Sequence, residues 1–142
     1  MVKVRFTPLL RGVLLFDAAS CALSGFGLLV FADALQQMLA IPATASQGAA
    51  IVLLVFAAGV AYVGTRGFVM RRAVWLIVSL NALWAVESVL ALAFGWLEPN
   101  ELGQILLIAQ AVAVGAIAEL QVVGVRRAAS WPSVSPSYND LQ

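Results

Sequence analysis

Four long apolar segments dominate the sequence, over residues 9–31, 48–65, 73–97 and 103–125. Each reaches or approaches the ~20 residues that a helix needs to cross the ~30 Å hydrocarbon core of a bilayer. Apolar and polar residues do not alternate along them, which excludes the strands of a membrane barrel. Because every backbone group inside lipid must be bonded within its own segment, the sequence predicts four membrane-spanning helices.

The composition is that of a membrane protein. Hydrophobic residues make up 63% of the chain and charged residues only 11%, whereas soluble proteins average about 45–50% and about 25%. A soluble domain of 142 residues could not bury so much apolar surface. We therefore predict an all-α transmembrane bundle of four helices in up-down-up-down order, formed by residues 1–127.

The distribution of basic residues predicts the topology. The two connections on one side of the predicted bundle contain Asp33, Glu98 and Glu101 and no basic residue. All basic residues lie around the start of the first span, between the second and third, or after the fourth: Lys3, Arg5, Arg11, Arg66, Arg71, Arg72, Arg126 and Arg127. By the positive-inside rule, both termini are expected in the cytoplasm.

Two stretches outside the spans differ in character. The stretch "ADALQQMLAIP", which begins at Ala32, has an apolar helical face and predicts a short helix on the outer membrane surface, between the first two spans. The alternative is a plain loop. The stretch "AASWPSVSPSYNDLQ" is rich in serine and proline, so residues 128–142 are expected to form a disordered cytoplasmic tail.

Three polar side chains are expected at one depth inside the bundle. Asp17, Asn81 and Glu119 each lie on the order of 10 Å from the cytoplasmic end of their span, at ~1.5 Å per residue. Since a charge that faces lipid at mid-membrane costs at least ~2.5–3.5 kcal/mol, Asp17 is expected to face protein or water. We predict that these three residues meet in a polar cluster.

Other polar residues extend this prediction. Helical spacing places two serines on the face of Asp17, and a basic residue one to two turns below it is a candidate partner. A second, looser polar level is expected nearer the outer side. The residues are Ser20, Ser24 and Arg11 for the cluster, and Glu87 and Gln110 for the second level.

The cluster has two interpretations. In the structural one, the polar groups form hydrogen bonds between helices, which average only about 0.6 kcal/mol in membranes but determine how the helices align. In the functional one, they form a proton- or cation-responsive site or the floor of a small-molecule cavity. The residue pattern leaves both open.

The sequence offers no catalytic set. Histidine is absent, which excludes the usual zinc and haem ligands, and the single cysteine, Cys21, excludes an intrachain disulfide or a redox pair. We therefore predict no enzymatic activity, no metal and no cofactor. No nucleic-acid partner is expected either.

The first and third spans are related, because an offset of 64 matches Asp17 with Asn81 and Ser24 with Ser88. Such a relation between parallel helices is expected from duplication of a two-helix hairpin. The stretches "LLRGVLLFDAASCALSG", "WLIVSLNALWAVESVLAL" and "AQAVAVGAIAELQVVGVRR" resemble small bacterial four-helix integral membrane proteins of uncharacterised function. The chain is also similar to DoxX-type four-helix membrane proteins, some of which are linked to quinone or thiol redox chemistry.

This resemblance implies a multi-pass protein of the bacterial inner membrane. It carries over no functional residues, and the single cysteine does not support thiol chemistry. We expect a non-catalytic accessory or scaffold protein in the lipid bilayer that associates with itself or with another membrane protein. The alternatives are a small proton- or cation-coupled transporter or small-molecule-binding membrane protein, and, third, a subunit of a membrane redox enzyme.

Overall fold

The computed structural model describes residues 3–5, 7–66 and 68–129. In that part of the chain, long helices alternate with short connections, as the apolar segments predict. The elements in chain order are β1 (Lys3–Arg5), α1 (Pro8–Val30), α2 (Ala32–Leu39), α3 (Ala43–Thr65), β2 (Phe68–Met70), α4 (Arg71–Ala93) and α5 (Glu101–Ala129).

Four of these helices are long and apolar enough to cross a membrane: α1, α3, α4 and α5. The first three have 23 residues each and α5 has 29, which at ~1.5 Å per residue exceeds the ~30 Å of the hydrocarbon core. The predicted all-α, four-helix fold in up-down-up-down order is therefore confirmed. Helix α5 continues to Ala129, so the predicted tail is helical at its first two residues, and the rest of that tail lies outside the described residues.

The helix bounds differ from the predicted spans for local reasons. Helix α3 begins at Ala43, directly after Pro42, because proline fits the position before a first helical turn better than an interior one. Helix α4 ends at Ala93, shortly before Gly95 adopts a left-handed backbone with φ of 67°. Glycine tolerates this conformation, which turns the chain toward α5.

The short helix predicted between the first two spans is present as α2, and it is joined to the start of α5. The Asn100 side chain donates a hydrogen bond to the carbonyl of Met38 (2.7 Å), and its backbone N–H donates to the carbonyl of Leu39 (3.0 Å). The same side chain accepts from the N–H of Gly103 (3.0 Å). Asn100 therefore satisfies backbone groups at the end of α2 and at the beginning of α5.

The spanning helices form two antiparallel pairs, α1 with α3 and α4 with α5, which contact each other mainly through α1 and α5. A shared apolar core lies at the end of the bundle where α1 and α4 begin. It contains residues of all four spanning helices: Leu10, Leu14, Ala18, Val60, Val74, Ile77, Val125 and Ala128. The start of α1 and the end of α5 therefore lie at the same end of the bundle.

Small residues allow α1 and α3 to approach closely. A Cβ atom on Gly25 would lie 3.1 Å from the backbone oxygen of Ala50, and one on Gly64 would lie 3.1 Å from Leu15. Ala57 is also buried, whereas Ala58 and Gly59 are exposed. Some of the small residues of α3 are therefore covered by α1 of the same chain, and others remain exposed.

The two strands pair next to this core. They are antiparallel, with Lys3 opposite Met70 and Arg5 opposite Phe68. Each half of the chain thus begins with a short strand that leads into a spanning helix, α1 or α4, and ends with a second spanning helix, α3 or α5. This repeated order is the one that a duplicated hairpin would give.

Candidate functional site

A closed polar cluster joins three helices near the middle of the bundle. It consists of Asp17 on α1, Asn81 on α4 and Gln121 on α5, which are 1%, 3% and 0% exposed. The carboxylate atom Oδ2 of Asp17 accepts hydrogen bonds from Asn81 Nδ2 (2.7 Å) and from Gln121 Nε2 (2.6 Å). Asn81 Nδ2 also donates to Gln121 Oε1 (3.1 Å). Each residue of this trio, here called the polar cluster, is bonded to both others.

The depth of the polar cluster follows from the helix bounds. Asp17 and Asn81 each lie close to the middle residue of a 23-residue helix. Because the helices are slightly longer than the hydrocarbon core, these residues belong near the bilayer mid-plane. This is closer to the middle than the ~10 Å depth predicted from the sequence, since the helices begin before the apolar segments do.

The local sequence of α1 gives the Asp17 carboxyl one more donor. The Cys21 Sγ atom lies one turn further along and donates to Asp17 Oδ1 at 3.5 Å. The Ser20 hydroxyl, also predicted to belong to this site, instead donates to the backbone carbonyl of Asp17 at 2.9 Å. The carboxyl oxygens therefore accept from two amides and a thiol, all of them uncharged donors.

Asp17 has no cationic partner among the described residues. Arg11, which was a candidate from the sequence, is exposed, since it lies on a different face of α1. Ser24 is exposed as well. Burying a carboxylate costs free energy unless the group is paired with a cation or hydrogen-bonded. Here the two interhelical amides provide the hydrogen bonds.

The predicted place of Glu119 in this cluster is wrong. Its side chain is exposed, and the glutamine two residues later, Gln121, points inward in its place. The buried face of α5 continues from Ala118 to Gln121 and Val125 by steps of three and four residues. Glu119 directly follows Ala118 and is therefore rotated by about 100° away from that face. The signal that would have identified Gln121 is its spacing of three from Ala118.

A second polar level lies nearer the other end of the bundle and joins α4 to α5. The Gln110 side chain donates to the hydroxyl of Ser88 (3.0 Å) and accepts from Trp84 Nε1 (3.4 Å). Glu87, which was predicted at this level together with Gln110, is exposed. Of the two residues predicted at this level, only Gln110 belongs to it. Its partners, the indole of Trp84 and the hydroxyl of Ser88, were not predicted.

The grooves of the bundle surface are apolar and separate from the polar cluster. A groove of about 440 Å³ lies between α1 and α3, and another of about 340 Å³ between α4 and α5. Neither is lined by a residue of the polar cluster. Within the described ranges, no group of three or more cysteine, aspartate or glutamate side chains could hold a metal ion.

Comparison of the chain with family models, with curated proteins and with solved structures gives no match. The four apolar helices make the chain a small multi-pass membrane protein.

Proposed function

We propose that this protein is a non-catalytic scaffold of the membrane, a small helical bundle that acts by associating with another membrane protein. The observation that carries this proposal is the closure of the polar cluster. Its side-chain amides and carboxyl bond to one another inside the bundle, and all three residues are at most 3% exposed. In this arrangement, the three side chains bond to one another and hold the helices together, and none of the three residues is open to a transported species.

The helix pairing supports the same proposal. The pairs α1–α3 and α4–α5 share little contact apart from that between α1 and α5 and the apolar core at one end. Because the hydrophobic effect does not drive helices together inside lipid, hydrogen bonds between helices help to determine how they align. Asp17, Asn81 and Gln121 thus connect the two halves of the chain at the middle of the bilayer. We also propose that the end bearing the basic residues faces the cytoplasm of a bacterial cell.

The accessibility of Cys21 tests the scaffold role against transport. Cys21 is 7% exposed and its thiol contacts Asp17, so any hydrated path to the polar cluster would also wet Cys21. In mild detergent, a small cationic methanethiosulfonate reagent is expected to leave Cys21 unmodified in the folded protein and to modify it after unfolding in SDS.

A matched control makes this result interpretable. Glu101, an exposed residue at the start of α5, can be replaced in a Cys21→Ala background. Glu101→Cys is expected to react in both the folded and the unfolded protein. Modification of Cys21 in the folded protein at a rate comparable with that of this control would contradict the scaffold role and favour a transport path.

A further inference from the structure

Glu119 is an acidic residue whose side chain points away from the interior of the bundle. It is exposed on α5, and Val112, Ala116 and Val123 are exposed with it. Their spacing of four, three and four residues places all four on one face of the helix. We call these four residues the Glu119 face. No hydrogen bond or ion pair joins Glu119 to any residue in the described part of the chain.

The depth of Glu119 makes its exposure unusual. It lies two residues from Gln121, which is about 3 Å along the helix axis, and therefore at nearly the level of the polar cluster. Acidic residues near the middle of a membrane helix are rare and nearly always pair with another group. Glu87 is also exposed, but it lies six residues before the end of α4 at Ala93, about 9 Å from the membrane surface.

We propose that the Glu119 face binds a transmembrane helix of a different membrane protein, and that this helix carries a lysine or arginine near the bilayer mid-plane. The inference rests on the proposed scaffold role and names the chemistry of its partner. Its basis is charge complementarity: a carboxylate in a low-dielectric medium is stabilised most by a cation or a strong donor at the same depth.

A second copy of the chain does not supply such a group. The basic residues within the described ranges lie at the ends of the spans, where α1 and α4 begin and α3 and α5 end. A copy inserted in the same orientation would therefore present no cation at the depth of Glu119, and a two-fold contact through this face would bring two acids together. The exposed hydroxyl of Ser79 on α4 does not match this depth either, because Ser79 lies about 6 Å closer than Glu119 to the end of the bundle that carries the basic residues.

The small side chain in the Glu119 face suits helix docking. Ala116 lies one turn before Glu119 and allows a partner helix to approach its backbone closely. The flanking residues Val112 and Val123 provide apolar contact on either side. A partner helix can thus pack along the face while its basic side chain reaches the carboxylate.

A defined probe tests this inference. The full-length protein, labelled with a donor fluorophore at Glu101→Cys in the Cys21→Ala background, is reconstituted in phosphatidylcholine vesicles. The probe is an acceptor-labelled transmembrane peptide of leucine and alanine with one lysine at its centre, and the reference peptide has leucine there. We expect the lysine peptide to bind about tenfold more tightly than the reference, the effect typical of one polar contact between model membrane helices.

Three variants locate the binding site. Glu119→Leu is expected to reduce binding of the lysine peptide to the level of the reference peptide. Glu119→Gln, which keeps a hydrogen-bond acceptor without the charge, is expected to give an intermediate affinity. Glu87→Leu removes an exposed acid of α4 that lies nearer the membrane surface, and it is expected to leave binding unchanged.

Two outcomes would overturn the inference. Equal binding of the two peptides to the wild-type protein would mean that Glu119 does not recognise a cation on a neighbouring helix. Energy transfer between differently labelled copies of the protein that disappears in Glu119→Leu would assign the face to a second copy. Neither outcome changes the accessibility of Cys21, so the failure of this inference is distinguishable from the failure of the scaffold role.

Discussion

Replacing Asp17 with leucine removes the shared acceptor of the polar cluster. The substitution eliminates the hydrogen bonds from Asn81 Nδ2 (2.7 Å) and Gln121 Nε2 (2.6 Å). Asn81 keeps its bond to Gln121 Oε1, but Gln121 Nε2 is left buried without this acceptor. The bundle is therefore expected to lose two interhelical contacts and to gain an unsatisfied donor.

The size of the effect follows from these contacts. Two interhelical hydrogen bonds at about 0.6 kcal/mol each amount to about 1.2 kcal/mol. An orphaned buried donor costs about 1–3 kcal/mol, while removal of a buried carboxyl returns part of this loss. We expect Asp17→Leu to lower the free energy of unfolding by about 1–2 kcal/mol.

Unfolding by SDS in mixed micelles measures this loss, and the chain offers a close control. Glu119→Leu removes an acid at nearly the same depth, but one whose side chain is exposed and bonded to no described residue. We expect Glu119→Leu to leave the free energy of unfolding unchanged or to raise it. If Asp17→Leu were as stable as the wild type, or if Glu119→Leu were the less stable variant, the assignment of inward and outward acids would be refuted.

Two further substitutions test the geometry. Asp17→Asn keeps one carbonyl oxygen where both amides converge on Oδ2, so its SDS-unfolding free energy is expected to fall clearly less than that of Asp17→Leu. Gly103→Ala would place a Cβ 2.7 Å from the Leu39 carbonyl oxygen, so the junction of α2 and α5 must shift, and a loss of about 1–3 kcal/mol is expected in the same assay. Gly115→Ala is the control, because a Cβ there meets nothing within 4 Å and is expected to stabilise the helix by about 0.5–1 kcal/mol. Equal stability of the two alanine variants would contradict the close approach at Gly103.

The fold was predictable because lipid leaves the chain few options. Continuous apolar segments of sufficient length must be helices, and their number and order follow directly from the sequence. The contact between Asp17 and Asn81 was also predictable, since both residues are polar, lie at one depth and need a partner inside the bundle. What depends on long-range packing was missed: the strand pair, and the bonds of Asn100 to the end of α2.

Gln121 occupies the inward position that was predicted for Glu119, and the reason is physical. The charge of Glu119 suggested that this residue must face inward, and a stripe of small residues that includes Ala118 lies beside it. In this chain, however, an amide takes the inward position, because Gln121 can donate to Asp17 and accept from Asn81 at once. A second carboxylate in that position would lack the donor that Asp17 accepts from. Complementarity of donors and acceptors therefore decides the position, and it cannot be read from depth alone.

The coupling between Asp17 and Gln121 tests the central claim most directly, namely that one carboxyl bonds the two halves of the bundle together. A double-mutant cycle compares Asp17→Leu, Gln121→Leu and the double variant in SDS unfolding. The polar cluster predicts a favourable coupling of about 0.6 kcal/mol, up to about 1.7 kcal/mol, as measured for other membrane hydrogen bonds. The same cycle between Glu119 and Gln121 is expected to give a coupling near zero. Additive effects of Asp17→Leu and Gln121→Leu would contradict the claim.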